Sequence, residues 1–170
     1  MLWIKTFFGV LFQTVLLGIF LYLPALTLNW PDALLFLSIH FLITILASAY
    51  LLIVKPASIE ARMNYDSETQ PKEDRLATVL MLSAIVVGLS LAPIDYFYLN
   101  FSSAFEGNIK NLGLGIYIFG MLLLMASLNA NEFAENTVNI QEERGQKVID
   151  TGIYSKIRHP MYTGFIFFIT

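Results

Sequence analysis

The chain contains no cysteine and only two histidines, His40 and His159, among its 170 residues. The absence of cysteine excludes disulfide bonds, thiolate metal ligands and a cysteine nucleophile. Two histidines are too few for a histidine-rich metal cluster, although ligation by histidine together with carboxylates stays open. We therefore predict no metal site.

Charged residues are scarce, at 14% of the chain, and the formal net charge is only −3. Without a basic tract, the sequence gives no support for nucleic-acid binding. The glycines of "GLGIYIFG", residues 113–120, lie inside an apolar run with no preceding strand. They therefore indicate close helix packing rather than a phosphate-binding loop.

Hydrophobic residues make up 56% of the chain and fall into long uncharged runs. A helix needs roughly 20 such residues to cross a bilayer. The sequence therefore predicts a single all-α integral membrane domain, residues 1–170, with four complete transmembrane helices and the start of a fifth. The predicted segments are residues 6–27, 33–54, 77–98, 112–128 and 161–170.

The distribution of lysine and arginine predicts the orientation in the membrane. These residues number one before the first segment, none at 28–32, four at 55–75, one at 93–111 and four at 129–160. Because basic residues favour the cytoplasmic side, the N-terminus and the loops 55–75 and 129–160 are predicted to be cytoplasmic. The first segment is too long for a typical cleaved signal, so we expect it to be retained.

Most of the polar residues in and between the apolar runs have ordinary structural interpretations. We interpret His40 and Gln13 as side chains that hydrogen-bond a neighbouring helix. Asp95 falls near the outer interface, where a carboxylate stays hydrated. The charged cluster at residues 142–144, "EER", is typical of a solvated surface.

One polar segment, "TGIYSKIRHPMYTG" at residues 151–164, immediately precedes an apolar run. Pro160 suits the first turn of a new helix, since its missing N–H has no partner there in any case. Arg158 and His159 then lie at the helix entrance, at the predicted cytoplasmic interface. An interfacial arginine and tyrosine can simply extend towards the headgroups, which is the structural alternative to a binding site.

The residue types in this segment nevertheless converge on anion binding. Arg158 carries a planar fork of donors suited to a carboxylate or phosphate. His159 can donate, accept or move a proton near neutral pH. Tyr154 and Tyr162 can stack on a planar group or contact a cation, and a helix N-terminus adds positive partial charge. The segment therefore predicts a ligand that bears an anionic group.

The stretch "VNIQEERGQKVIDTGIYSKIRHPMYTG", within residues 129–164, closely resembles the cytoplasmic segment of the isoprenylcysteine carboxyl methyltransferase and phospholipid methyltransferase group of membrane enzymes. A weaker similarity lies in the loop 55–75, through Pro56, Arg62, Asp74 and Arg75. The two stretches cover about a third of the chain. The combination of "IQEERG", "GIY" and "RHPMY" is more specific than any of its parts.

The resemblance implies a fold of membrane helices and S-adenosylmethionine as methyl donor, bound from the cytosol. It implies a lipid or lipidated acceptor that enters from the bilayer, and it assigns no catalytic residue. The absence of the glycine motif of soluble methyltransferases fits this group. The residues that match its cofactor-binding motif and turns are Tyr154, Arg158, His159, Pro160, Tyr162, Gly152 and Gly145.

The chain departs from this family at its C-terminal end. Family members continue through a complete fifth helix and a further segment with paired glutamates, whereas this sequence ends about ten residues into that helix. We therefore expect a fragment, a site completed by a second chain, or an inactive product. The sequence does not distinguish a prenyl, phospholipid or other apolar acceptor, and it is silent on oligomeric state.

Three other interpretations stay open. Membrane sterol and steroid reductases carry a similar arginine–proline–tyrosine element and use NADPH, although "IQEERG" argues against them. A truncated or degenerate binding protein would not be an enzyme, and it is distinguished by whether the donor binds and whether methyl transfer occurs. A purely structural membrane subunit would leave the polar entrance of the fifth helix unexplained. Binding of the methyl donor or of NADPH separates these interpretations.

Overall fold

The structure is a computed structural model that describes residues 1–63, 72–101, 108–131 and 148–169. Every regular element in these ranges is helical, which confirms the predicted all-α fold. The helices are α1 (Leu2–Ala25), α2 (Pro31–Val54), α3 (Pro56–Met63), α4 (Lys72–Ile94), α5 (Asn108–Ala130) and α6 (Pro160–Ile169), with a π-helical turn at Asp95–Leu99 and a 3₁₀ turn at Gly152–Ser155.

Four helical segments are long and apolar enough to cross a membrane: Leu2–Ala25, Pro31–Val54, Thr78–Leu99 and Asn108–Ala130. They indicate a multi-pass membrane protein. The ten-residue α6 is a shorter apolar helix that begins at Pro160, one residue before the fifth predicted segment. The helix α5 begins four residues before the predicted segment, because polar residues such as Asn108 and Lys110 continue the helix beyond its apolar part.

Three of the helices, α2, α3 and α6, begin at a proline: Pro31, Pro56 and Pro160. Proline suits the first helical position because its fixed φ is already helical and its missing N–H would have no intrahelical partner. It also disfavours helical backbone in the residue before it. The helix start predicted at Pro160 is confirmed.

The helix α4 changes geometry after the fully buried Pro93 and continues as a π-helical turn. The turn ends at Asn100, which has a φ of 56° and whose N–H donates to Asp95 O at 2.7 Å. The side-chain carboxylate of Asp95 also accepts a hydrogen bond, from the Phe101 N–H at 2.8 Å. Asp95 thus closes the end of this segment, which agrees with its structural interpretation.

The chain divides into two compact units. The first comprises residues 1–46 and 77–112, and the second comprises residues 47–76 and 113–170. The helices α2 and α5 each contribute one part to each unit. The predicted single domain, residues 1–170, stays a prediction.

In the first unit, α1 and the first part of α2 pack as an antiparallel pair. Gly18 allows this approach, since a Cβ placed there would lie 3.4 Å from Leu37 Cδ1. On α2, His40 is almost fully buried and its ring lies parallel to that of Phe36, with centroids 6.5 Å apart. His40 is thus buried within the first unit, and its predicted hydrogen bond to a neighbouring helix stays a prediction.

An aromatic cluster of the first unit surrounds Trp30, just before α2. Its ring stacks on Tyr96 at 5.3 Å and meets Phe97 edge-on at 5.2 Å, and Tyr22 donates a hydrogen bond to the Trp30 carbonyl. Nearby, the Lys110 ammonium lies 5.5 Å from the centre of the Tyr96 ring. Such amphipathic rings are typical of the membrane–water interface.

In the second unit, α5 and α6 approach each other closely at two glycines. A Cβ placed on Gly120 of α5 would lie 2.7 Å from Phe168 N and 2.9 Å from Gly164 O. A Cβ on Gly164 of α6 would lie 2.8 Å from Leu124 Cγ. The two glycines thus let the backbones touch, as small residues do in membrane helix pairs.

We expect Gly120→Ala to destabilise the α5–α6 pair, because the atoms that its methyl group would meet belong to the backbone and cannot rotate away. The expected loss in the free energy of unfolding is about 1–3 kcal/mol, the usual range for an overpacked core. Denaturation of the protein in detergent, followed by circular dichroism, measures this loss.

The matched control is Gly113→Ala on the same helix, where a Cβ would meet nothing within 4 Å. This change should leave stability unchanged or raise it slightly, since alanine is the better helix former. Equal effects of the two changes would contradict the packing role of Gly120.

Candidate functional site

The predicted cofactor-binding residues lie in the second unit, next to the C-terminal end of α5. The Asn131 N–H donates to Ser127 O at 2.9 Å and so extends the last turn of this helix. The Lys55 ammonium donates to the Asn129 carbonyl, one of the acceptors that a helix end leaves without an intrahelical donor. This bond joins the segment after α2 to the end of α5.

The segment at residues 151–164 lies next to the end of α5 at Gly152, which has a φ of +61°. Few residues other than glycine adopt this left-handed conformation without strain. At Gly152, a Cβ would lie 3.6 Å from Ala130 Cβ, so the backbone conformation rather than lack of space favours glycine here. The Ser155 hydroxyl donates to the Gly152 carbonyl at 2.7 Å and closes the 3₁₀ turn.

Tyr154 lies on this turn and is half-buried. Its hydroxyl accepts a long hydrogen bond, 3.5 Å, from the Asn131 side-chain amide at the end of α5. The contact is weak in itself, yet together with Gly152 it places the turn against the end of α5. Tyr154 therefore connects the 3₁₀ turn to the end of α5, and its contact with the cofactor stays a prediction.

The N-terminus of α6 follows immediately. Pro160 is fully buried, and the His159 carbonyl accepts two bonds at 3.0 Å, from the Thr163 N–H and from the Thr163 hydroxyl. His159 is thus the residue that opens the helix. Its imidazole lies where unpaired N–H groups give the helix end a positive partial charge.

Three of the predicted residues, Arg158, His159 and Tyr162, present exposed side chains at this helix end. The ring centroids of His159 and Tyr162 are 5.8 Å apart, at an angle of 43°. Within the described ranges, the Arg158 guanidinium makes neither an ion pair nor a hydrogen bond. The Arg158 guanidinium and the helix N-terminus could bind an anionic group, and the rings of His159 and Tyr162 could contact a planar group of the same ligand.

A cavity of about 220 Å³ lies in the same unit, between the last turns of α2 and α5. It is lined by four residues with apolar side chains and two with polar groups: Ala47, Leu51, Met125, Ala126, Tyr50 and Asn129. Asn129 is the residue whose carbonyl accepts from Lys55, and Tyr154 of the 3₁₀ turn accepts from Asn131, which directly follows α5. The cavity and the turn thus share the C-terminal end of α5.

Other predicted elements are described only in part. Gly145, the cluster at residues 142–144 and the side chain of Asp74 lie outside the described residues. Arg75 is exposed on α4, whereas Arg62 on α3 is half-buried with both terminal nitrogens removed from solvent. Their predicted family similarity stays a prediction.

Sequence reasoning missed the residues that hold the site in place. Asn131, Lys55 and Gly164 contact the site or its helices, and none was singled out from the sequence. Asparagines at the end of an apolar run are a visible signal for a helix terminus. The partners of such side chains depend on which helix ends meet in space, which one sequence does not specify.

No protein family, curated protein or solved structure matches this chain. Within the described ranges, no group of three or more histidine, aspartate or glutamate side chains could hold a metal ion. The geometry of the second unit and the sequence motif therefore carry the functional argument.

Proposed function

We propose that this protein is a membrane methyltransferase of the isoprenylcysteine carboxyl and phospholipid methyltransferase type, with S-adenosylmethionine as donor and a lipid or lipidated acceptor. The motif at residues 151–164 motivates this proposal, and the geometry around α6 supports it. Tyr154, Arg158, His159, Pro160, Tyr162 and Gly152 are its proposed cofactor-binding residues.

The observation that carries the proposal is the exposed group of Arg158, His159 and Tyr162 at the N-terminus of α6. Arg158 can hold the donor's carboxylate through two parallel hydrogen bonds, and the helix end adds favourable positive charge. The rings of His159 and Tyr162 can contact the adenine ring or the sulfonium group. Pro160 and Gly152 contribute by fixing the backbone that presents these side chains.

The chemistry needs alignment more than it needs acid–base catalysis. When bound, S-adenosylmethionine would supply a methyl group on a sulfonium sulfur. A carboxylate oxygen could take this methyl group without first losing a proton, and the sulfur would leave as the neutral thioether of S-adenosylhomocysteine. The task of the protein is then to hold donor and acceptor in line and to exclude water. An amine or hydroxyl acceptor would also need a base, and the imidazole of His159 is chemically suited to that role.

The cavity between α2 and α5 suits the acceptor. Its lining residues lie near the C-terminal ends of both helices and include Tyr50 and Asn129, whose side chains carry polar groups. An amphiphile whose apolar chain lies in the bilayer could place its reactive headgroup at this level. The volume of the cavity is sufficient for only part of a typical ligand, because ligand pockets measure roughly 300–1,000 Å³.

We expect the site to face the cytoplasm, because the loops on its side carry the larger basic counts. The chain has no cysteine, so a single introduced cysteine is a clean reporter. In intact cells, a membrane-impermeant maleimide should label Leu28→Cys and should label Lys156→Cys only after permeabilisation. The reverse pattern would contradict the proposed orientation.

We expect Arg158→Ala to weaken binding of S-adenosylmethionine roughly ten- to hundredfold, because a charge-assisted hydrogen bond contributes about 1.5–3 kcal/mol. Arg158→Lys should give an intermediate affinity, since lysine keeps the charge but loses the planar fork. Isothermal titration of the detergent-solubilised protein measures the dissociation constants.

The matched control for charge is Lys156→Ala, an exposed cation two residues away, which should bind the donor as tightly as the wild type. A parallel titration with NADPH tests the reductase alternative. Saturable binding of NADPH rather than of the methyl donor would refute the methyltransferase proposal. Equal donor affinities of the wild type and Arg158→Ala would refute the proposed role of Arg158.

We expect Ala126→Phe to block the cavity and to weaken binding of a farnesylated cysteine severalfold, with little effect on the affinity for the donor. The added ring would occupy the space between α2 and α5. Ala84→Phe, on an exposed position of α4, is the matched control. An unchanged affinity for the acceptor would remove the cavity from the proposed site.

A further inference from the structure

Gln13 is a polar residue at the midpoint of α1. It lies eleven residues after Leu2 and twelve before Ala25, which places it about 17 Å from either end of the helix. Its side chain is exposed, whereas the buried residues of α1 are Thr6, Val10, Leu17, Leu21 and Ala25. Among the described residues, the Gln13 amide has no hydrogen-bond partner.

An amide at this depth faces hydrocarbon, since α1 is long and apolar enough to cross the membrane. Hydrocarbon offers neither donor nor acceptor, so an unpaired amide there is unfavourable. The hydroxyls of α1 avoid this problem by bonding within the helix: Thr14 donates to Val10 O at 2.9 Å. Gln13 lies at the edge of the buried face of α1, one turn from the buried Val10 and Leu17, and its exposed amide is open to a partner that the described residues do not supply.

A second observation concerns the surface beside Gln13. Gly9, one turn earlier on the same exposed face, would meet nothing within 4 Å if it carried a Cβ. In contrast, Gly18 is already used in the contact with Leu37. The open Gly9 leaves room for the backbone of another helix to approach next to the unpaired amide.

We propose that the face of α1 formed by Gly9, Gln13 and Leu16 is an interface with a second copy of this chain. Every copy inserts with the same orientation, so Gln13 of a neighbouring copy lies at the same depth. The amide is both donor and acceptor, so two glutamines related by a two-fold axis can bond reciprocally. A different partner would need its own polar group at this depth.

Single cysteines test this interface, because the protein has none of its own. The residue Leu16 lies on the proposed face, and Val15 lies about 160° around the helix from Gln13. In proteoliposomes of the purified protein, oxidation should form the disulfide dimer of Leu16→Cys and little or none of Val15→Cys. Val15 is the more exposed of the two, at 53% against 39%, so exposure alone predicts the opposite result.

The role of the amide is tested by Gln13→Leu. We expect a roughly five- to thirtyfold weaker dimer in proteoliposomes, measured by energy transfer between separately labelled copies. Gln13→Asn keeps an amide and should retain part of the association. Val15→Leu is the matched apolar control and should leave it unchanged, and the helical content of all variants should stay the same because these side chains point outward.

The proposal fails if Leu16→Cys forms no more disulfide dimer than Val15→Cys, or if Gln13→Leu associates as tightly as the wild type. Cross-links from Leu16→Cys to another protein in native membranes, with no dimer after purification, would assign the face to a different partner. Because the readout is association, its outcome is independent of whether the protein transfers methyl groups.

Discussion

The contact between Gly120 and Gly164 determines where α6 lies against α5. Helices in a bilayer gain little from the hydrophobic effect, since lipid tails are as apolar as their side chains, so direct packing must hold them together. The helix α6 has only ten described residues, and its backbone touches that of α5 at these glycines. Pro160 begins this helix, and the exposed side chains of Arg158, His159 and Tyr162 take their positions from it. The chemistry proposed for the entrance of α6 thus depends on two residues that carry no functional group.

The distribution of polar groups follows the same environment. Ser127 is fully buried in α5 and donates to Leu123 O at 2.7 Å, and Thr6 donates to Leu2 O in α1. These hydroxyls are satisfied within their own helices. At the entrance of α6, by contrast, the Arg158 side chain is exposed. A cation with no partner among the described residues is tolerable at a helix end that water can reach, whereas an amide with none is unfavourable at the centre of α1.

Hydropathy alone predicted the helical class, because a long uncharged run has few alternatives in a bilayer. Pro160 marked the start of α6 correctly, since its backbone geometry is local. Sequence signals of this local kind do not predict the contacts between helix ends that are distant along the chain. Three of the four extra residues at the start of α5 are polar, so this turn was not counted as part of the apolar run. The meeting of Asn131 with Tyr154, and the cavity beside Asn129, depend on which helix ends come together. Sequence reasoning gave Gln13 a neighbouring helix as partner, but the described part of this chain supplies none.

The stacking of Trp30 on Tyr96 has a consequence for spectroscopy. The protein has two tryptophans, Trp3 and Trp30, and both belong to the first unit. Intrinsic tryptophan emission is therefore a reporter of α1, α2 and the π-helical turn, and it carries no direct signal from the unit that contains α6. A protein that has lost the order around Arg158 could keep an unchanged emission spectrum. A new tryptophan in the second unit would give that region an optical signal of its own.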